Sequence, residues 1–465
     1  MDDKKNSSSV FKETKLLDKN MKKTFLLRNF DPILNETIKY GRGVYLYTKN
    51  KKKYLDATAG LTGVAILGWG NKNIERSIVK QLKKIGHIDY KYFLDENREK
   101  LSNLLLSQSK SKLDKVFFVG GSGGEACEGA MKLSYQYHLA SGKKNKKWFI
   151  SRKQSFHGSS SDAISVGDRP NLNIYKSFFP NYRTKISENN IFRHKKNNET
   201  EKEYTKRSVQ ELENKIISLG PDNVCAFIGE TIMGGLVGDV PPSINYWKEV
   251  RKVCDKYKVH LILDEVWCGG GTTGKSFCID WDNVTPDFVF VGKTLAAGYG
   301  PLSAVITKNE IGSKIKNKLG AIQVSTSYQG HSLGIAASLG VQSIIQKKSF
   351  LRNVCLKGEY LRSTLVDELK NHEFFKNVRG RGMRNSLEYN CSNNHLFGCH
   401  LGEYSKNEFN LLISAKYHRV CFSPAINISF NDLNKIIDNF LKAFKYVSSN
   451  WKKFKNRSFS NRSFY

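Results

Sequence analysis

Through the middle of the chain the apolar positions come in short, nearly unbroken runs: "VFFV" at 116–119, "WFIS" at 148–151, "AFIG" at 226–229, "VHLIL" at 259–263 and "FVFV" at 288–291. A strand reads this way when both of its faces are covered, whereas a half-exposed strand alternates. These five runs predict the strands of a buried, mainly parallel sheet. Between them the period lengthens: beyond "VFFV" and a glycine-rich turn, Ala126, Ala130, Leu133 and Tyr137 fall on one helical face. Helices are predicted at 74–85, 96–107, 332–347, 351–370 and 431–447. Near the N-terminus, aromatic and β-branched runs flank "TKNKKK" and predict a hairpin over 44–55. The stretch 181–208, rich in Lys, Asn and Glu, reads as a surface excursion.

The pattern is that of an α/β protein with a second, smaller α+β domain drawn from both chain ends. The expected division is a flexible arm at 1–25, the start of the small domain with its hairpin at 26–70, a large domain at 71–330, the rest of the small domain at 331–450, and a basic tail at 451–465.

Composition narrows the function classes. The nine cysteines among 465 residues are odd in number and form no C-x-x-C pair, so neither a disulfide framework nor a standard zinc site is expected. Cys391, His395, Cys399 and His400 have possible ligand spacing but sit in one short segment, and no metal is expected there. "MDDKKNSSSV" lacks the features of a signal peptide, and the longest weakly charged stretch, 225–240, is broken by Glu230 and Asp239. A cytoplasmic protein with no membrane partner is the expectation. The net charge of +32 is spread along the chain, and the tail "WKKFKNRSFSNRSFY" reads as solvated, so no nucleic-acid partner is expected.

Candidate chemistry begins at "VFFVGGSGGEA". Gly120, Ser122 and Gly124 fit a nucleophile elbow, with Asp264 and His331 completing the order Ser, Asp, His. Gly121, Gly123 and Ala126 fit a dinucleotide fingerprint, with Arg152 and Lys153 where the ribose would be held. A simple phosphate cup fits as well. Two further segments weigh on the choice. "VHLILDEV" delivers Asp264 and Glu265 to the carboxyl end of a strand, where open α/β sheets bind ligands. "FVFVGK" places Lys293 beyond the next strand end, in apolar surroundings that strip an ammonium of its charge and prepare it to form an imine.

Taken in order, "GRGVYLYTKNKKKYLDATAG", "SGGEACEGAMKL", "SFHGSSSDAISVG", "FIGETIMGG", "LILDEVWCGGGTTG", "GKTLAAGYGPLSAV", "SYQGHSLGIAASLG" and "RGRGM" resemble the class III (ω-type) aminotransferases of the fold-type I pyridoxal-phosphate enzymes, from about residue 40 to 449. The resemblance implies a large domain with a mainly parallel seven-stranded sheet, and pyridoxal 5'-phosphate as cofactor. It makes Lys293 the aldimine lysine and the proton-transferring base, and gives Asp264 the pyridine nitrogen. Val266 and Phe156 would face the two sides of the ring, with His157 and Glu230 beside it. Ser122, Gly123 and Gly124 would hold the phosphate, and Ser327 would reach the phosphate of a neighbouring subunit in a homodimer. Trp69 and Arg419 are the candidates for substrate contact.

The implied reaction moves an amino group from an ω-amino acid or amine to a 2-oxo acid such as pyruvate or 2-oxoglutarate, by a ping-pong mechanism. Aminomutases, racemases and decarboxylases start from the same adduct. The chain departs from the family pattern at Gly124, where serine is usual, at Thr231 for proline and at Thr272 for arginine. Arg419 falls one residue out of register with the usual carboxylate-binding arginine.

Overall fold

The computed structural model describes residues 36–90, 92–179 and 181–455. The arm expected at 1–25 and the last ten residues of the tail lie outside the described residues. Strands β1 (Ile38–Arg42), β2 (Tyr45–Thr48) and β3 (Lys53–Asp56) run antiparallel, which realises the predicted hairpin in β2 and β3. The main sheet follows: β4 (Lys115–Phe118), β5 (Trp148–Arg152), β6 (Arg183–Ile186), β7 (Val224–Glu230), β8 (His260–Asp264), β9 (Phe288–Val291) and β10 (Ala304–Thr307). Their spatial order is β4-β10-β9-β8-β7-β5-β6. The strands from β6 to β9 are parallel, and β10 runs antiparallel to both β9 and β4.

The unbroken apolar runs have a direct cause in this arrangement. Successive strand residues point to opposite faces, and here each face meets its own apolar core. Phe288, Phe290, Ile262 and Ile228 join Ala126, Ala130 and Leu133 of the helix Gly123–Ala140. Val289, Val291, Leu261, Leu263 and Phe227 join Trp247, Val250 and Cys254 of the helix Tyr246–Lys256.

The stretch 181–208 is not the surface excursion expected of it. It contains β6, an edge strand of sequence "RTKI" whose polar character hides it from an apolar-run search. It also contains the start of the helix Glu201–Leu219, opened by a capping box between Thr200 and Glu203. That helix buries Tyr204, Thr205, Ser208, Val209, Leu212 and Ile216, a stripe diluted in the sequence by the lysines and glutamates of its outer face.

A second sheet joins β11 (Phe375–Arg381), β12 (Arg384–Tyr389), β14 (Ser414–Lys416) and β15 (Arg419–Phe422) in the order β11-β12-β15-β14. Between them in sequence, β13 (Leu411–Leu412) pairs in parallel with β3, so the two chain ends share one sheet. The helix Phe430–Ser449 buries Ile436, Phe440, Phe444 and Val447. The chain then continues as a helical turn in which Trp451 is buried and donates from Nε1 to Ser392 Oγ at 2.9 Å. The basic tail therefore does not begin as a solvated segment: its first aromatic is part of the core.

Candidate active site

The carboxyl ends of β7, β8 and β9 converge on one buried site. Asp264 is the last residue of β8 and only 5% exposed. Its Oδ1 accepts from the backbone N–H of Val266 at 2.9 Å, and its Oδ2 accepts from Nδ1 of the fully buried His157 at 2.8 Å. Both bonds fix the carboxylate in place. Glu230 ends β7 directly opposite Asp264 in the ladder. One of its oxygens accepts from Gly234 N at 3.3 Å, while Oε2 has no protein donor. Burial pushes its pKa up to about 7, with the nearby His157 pulling the other way.

Lys293 lies two residues beyond the end of β9, with a backbone φ of 27°. For a side-chain-bearing residue this left-handed conformation costs on the order of 1–2 kcal/mol. Burial lowers the Lys293 pKa to about 8; the negative charge of Asp264 opposes this shift and the Arg384 guanidinium adds to it. Its Nζ stands 5.1 Å from the centroid of the Trp267 ring.

The glycine-rich loop resolves into a helix N-terminus. Ser122 is the N-cap of Gly123–Ala140: its Oγ accepts from Glu125 N at 3.2 Å, and Glu125 Oε2 accepts from Ser122 N at 2.8 Å and Gly121 N at 3.0 Å. Gly123 and Gly124 occupy the first two helical positions, whose N–H groups have no acceptor within the helix and favour an anion. Gly123 also lies against Val266: a Cβ there would stand 2.7 Å from Val266 Cγ1. Ser160 Oγ, beside Gly124, is buried without a partner.

This geometry overturns the two competing readings of the loop. Ser122 is spent on capping, Asp264 belongs to His157, and His331 stacks instead on His87 at 4.8 Å, so no Ser, Asp, His relay forms. Arg152, expected to face a ribose phosphate, is buried and donates to the Glu230 carbonyl.

Other sequence candidates are placed as follows. Val266 is buried beside Gly123, and Phe156 carries the Arg169 guanidinium 5.2 Å from its ring centroid. Ser327 is exposed; its carbonyl accepts from His87 Nε2 at 3.0 Å. Trp69 packs on Gly41 and Gly60. Arg419 is buried in β15 opposite Glu388, its side chain against Gly238. Thr272 bonds to the carbonyls of Cys268 and Gly269, and Thr231 to Glu265, so both departures from the family pattern are satisfied internally. Glu265 accepts from the N–H groups of Cys278 and Ile279, which gives it a structural task. Among the described residues no group of three or more His, Cys, Asp or Glu side chains is arranged to hold a metal.

Two residues that line the site went unread in the sequence, Trp267 and Arg384. Trp267 lies within "LILDEVWCGGGTTG" directly after Val266, and Arg384 follows "RGRGM"; the only signal was a bulky residue inside one matched motif and a charged residue adjoining another.

The site suits an anionic, aromatic group with a ring nitrogen and a carbonyl. It has unused N–H donors at the helix start, a fixed carboxylate at Asp264, an amine at Lys293, and buried polar atoms without protein partners at His157 Nε2, Glu230 Oε2 and Ser160 Oγ. Pyridoxal phosphate has this chemistry.

The comparisons agree. The chain is 36% identical over 372 residues to an uncharacterised aminotransferase of Schizosaccharomyces pombe, covering 80% of this chain and 81% of that one. It is 32% identical to gamma aminobutyrate transaminase 2 of Solanum lycopersicum, over 87% of this chain and 90% of that protein. It is also 32% identical to a diaminobutyrate–2-oxoglutarate transaminase of Halomonas elongata, over 80% and 82%. The fold superposes on the omega transaminase of Pseudomonas jessenii in complex with PMP at a TM-score of 0.86, with 26% identity, over 91% of this chain and 97% of that one. The model of the class-III aminotransferase family matches residues 28–444, and the chain belongs to that family of pyridoxal-phosphate-dependent enzymes.

Proposed function

We propose that the protein transfers an amino group from an ω-amino acid or a simple amine to a 2-oxo acid, in two half-reactions at one site. The observation that carries this reading is the meeting of a desolvated Lys293 with a fixed Asp264–His157 pair at adjacent strand ends. When bound, pyridoxal phosphate supplies the electron sink that lets the substrate's amino carbon release its proton. Asp264 would hold the ring nitrogen, and His157 and the Val266 N–H keep its carboxylate aimed. Lys293, its proton loosened by burial, takes the proton from the substrate carbon and returns it. Gly123 and Gly124 would hold the phosphate through their N–H groups and the helix dipole, with Ser122 at the edge of the cup. Val266, beside Gly123, and Phe156 would line the two ring faces.

The relatives named for gamma aminobutyrate and diaminobutyrate support an amino acid donor whose amine is remote from its carboxylate. A homodimer is supported by the surroundings of Ser327: Tyr328 is 64% exposed, and the segment anchored to it through His87 and Tyr90 leads to Phe93 and Leu94, also exposed. Nine free cysteines suit a reducing, cytoplasmic location, and no helix among the described residues is long and apolar enough to cross a membrane.

The test follows the cofactor's absorbance. Mixing the holoenzyme with 4-aminobutyrate, β-alanine or 1-phenylethylamine is expected to bleach the cofactor band, and pyruvate or 2-oxoglutarate to restore it. Borohydride is expected to fix the cofactor on Lys293. Racemisation or release of carbon dioxide without that colour cycle would replace transamination with the corresponding alternative chemistry.

A further inference from the structure

Arg384 opens β12 and is 1% exposed, among the largest fully buried side chains of the protein. Its Nη2 donates to the Gly63 carbonyl at 3.1 Å, but Nε and Nη1 have no acceptor. Two arginines of the neighbouring strand β11 are treated differently. Arg379 is paired with Glu388 and donates to the carbonyls of Val237 and Gly238, and Arg381 is paired with Asp282 at 2.9 Å. The carboxylate whose charge reaches Arg384 is that of Asp239, yet both Asp239 oxygens are occupied, Oδ1 by Trp267 Nε1 at 2.8 Å and Oδ2 by Ser386 Oγ at 2.7 Å. A buried guanidinium left with unmet donors is a net cost to the fold. Burial accordingly lowers its pKa to about 10.

The position of this cation is equally specific. Its Cζ lies 4.0 Å from the centroid of the Trp267 ring, the same indole on which Lys293 Nζ rests at 5.1 Å. The turn Ala59–Gly63, tied down by Asp56 through Thr58 and Gly60, closes over it. Only glycine fits at its end, since a Cβ on Gly63 would stand 2.6 Å from Arg384 Nη1. Arg419 also has unmet guanidinium nitrogens, but its side chain lies against Gly238 and Tyr417. Of the two, Arg384 is the one whose charge acts on Lys293.

We infer that Arg384, seated on Trp267 beside Lys293, receives the carboxylate of the substrate and makes this site selective for amino acids and 2-oxo acids over amines that carry no carboxylate. The inference rests on the proposed transfer reaction and adds the residue that reads the anion. A carboxylate brings the missing counter-charge and acceptors together, and the planar guanidinium suits it better than an ammonium would.

The test uses the holoenzyme and its Arg384→Leu and Arg384→Lys variants, with two readouts. Glutarate carries carboxylates but no amine and cannot react; its affinity is expected to fall about 10- to 100-fold in Arg384→Leu. In single-turnover half-reactions the variant is expected to lose about that factor more with 4-aminobutyrate than with 1-phenylethylamine, whose smaller loss reflects only the changed charge beside Lys293. Because an uncompensated charge is removed, its melting temperature is expected to hold or rise. Equal losses with both donors, or unchanged glutarate binding, would overturn the assignment. If the wild type reacts with no donor, the transfer reaction has failed, and the glutarate comparison still decides on Arg384. If Arg384→Leu does not fold, Arg384→Lys is read by the same glutarate ratio, and full wild-type affinity there counts against the inference.

Discussion

The lysine at the centre of the site is prepared by its surroundings before any ligand arrives. With the Lys293 pKa lowered to about 8, roughly a tenth of the amine is neutral at pH 7, where an ordinary lysine is almost wholly charged. The rate at which the cofactor-free protein captures pyridoxal phosphate should therefore rise about tenfold per pH unit on the acid side and level off above about pH 8. Asp264 holds that pKa up, so Asp264→Asn should move the limb to lower pH, even as turnover falls on the order of 100-fold with loss of the fixed carboxylate. Stopped-flow absorbance checks both statements. A limb near the ordinary lysine value would show that Lys293 is not desolvated. Lys293→Ala should bind the cofactor without borohydride-stable attachment and lose on the order of 10⁴-fold in turnover.

At the scale of elements, the site is assembled from turns whose register depends on close backbone packing. Gly123→Ala forces a methyl into Val266, and overpacking of this kind costs about 1–3 kcal/mol. Cofactor affinity should drop correspondingly, by equilibrium dialysis. Ser122→Ala removes a cap worth about 1 kcal/mol and should lower the denaturation midpoint while leaving turnover within a few-fold. A total loss of activity would restore the idea of a nucleophilic serine. These same elements show what was legible in the sequence. β7, β8 and β9 stood out because two cores flank them, so Asp264 and Lys293 could be placed at their ends from the sequence alone. β6 did not, because an edge strand is covered less completely and its "RTKI" carries no apolar run. Arg384 was hidden for another reason. Its partners, Gly63 and Trp267, are distant in sequence, and its significance lies in the acceptors it lacks, which no linear pattern records.

At the scale of the molecule, the two chain ends are joined by the β3–β13 pairing, and the C-terminal helix is closed off by Trp451 against Phe397 and His400. Trp451→Ala should cost about 3–5 kcal/mol, a loss visible as a lower melting temperature. The larger question is whether one chain holds a whole site. Ser327 is exposed beside Tyr328 and Lys293 is buried, and the proposed homodimer would bring Ser327 of one chain to the phosphate site of the other. Lys293→Ala removes the reacting amine, and Ser327→Asp sets a negative charge against the phosphate; each variant alone should be inactive. In a two-fold dimer with shared sites, a mixed dimer of the two variants contains one site built from Lys293 of one chain and Ser327 of the other, both native. Refolding the variants together in equal amounts makes half of the dimers mixed, and one site in two of these is intact. Activity should return to about a quarter of the wild-type value under that symmetry. If Ser327 serves its own chain, or if the protein acts as a monomer, mixing restores nothing.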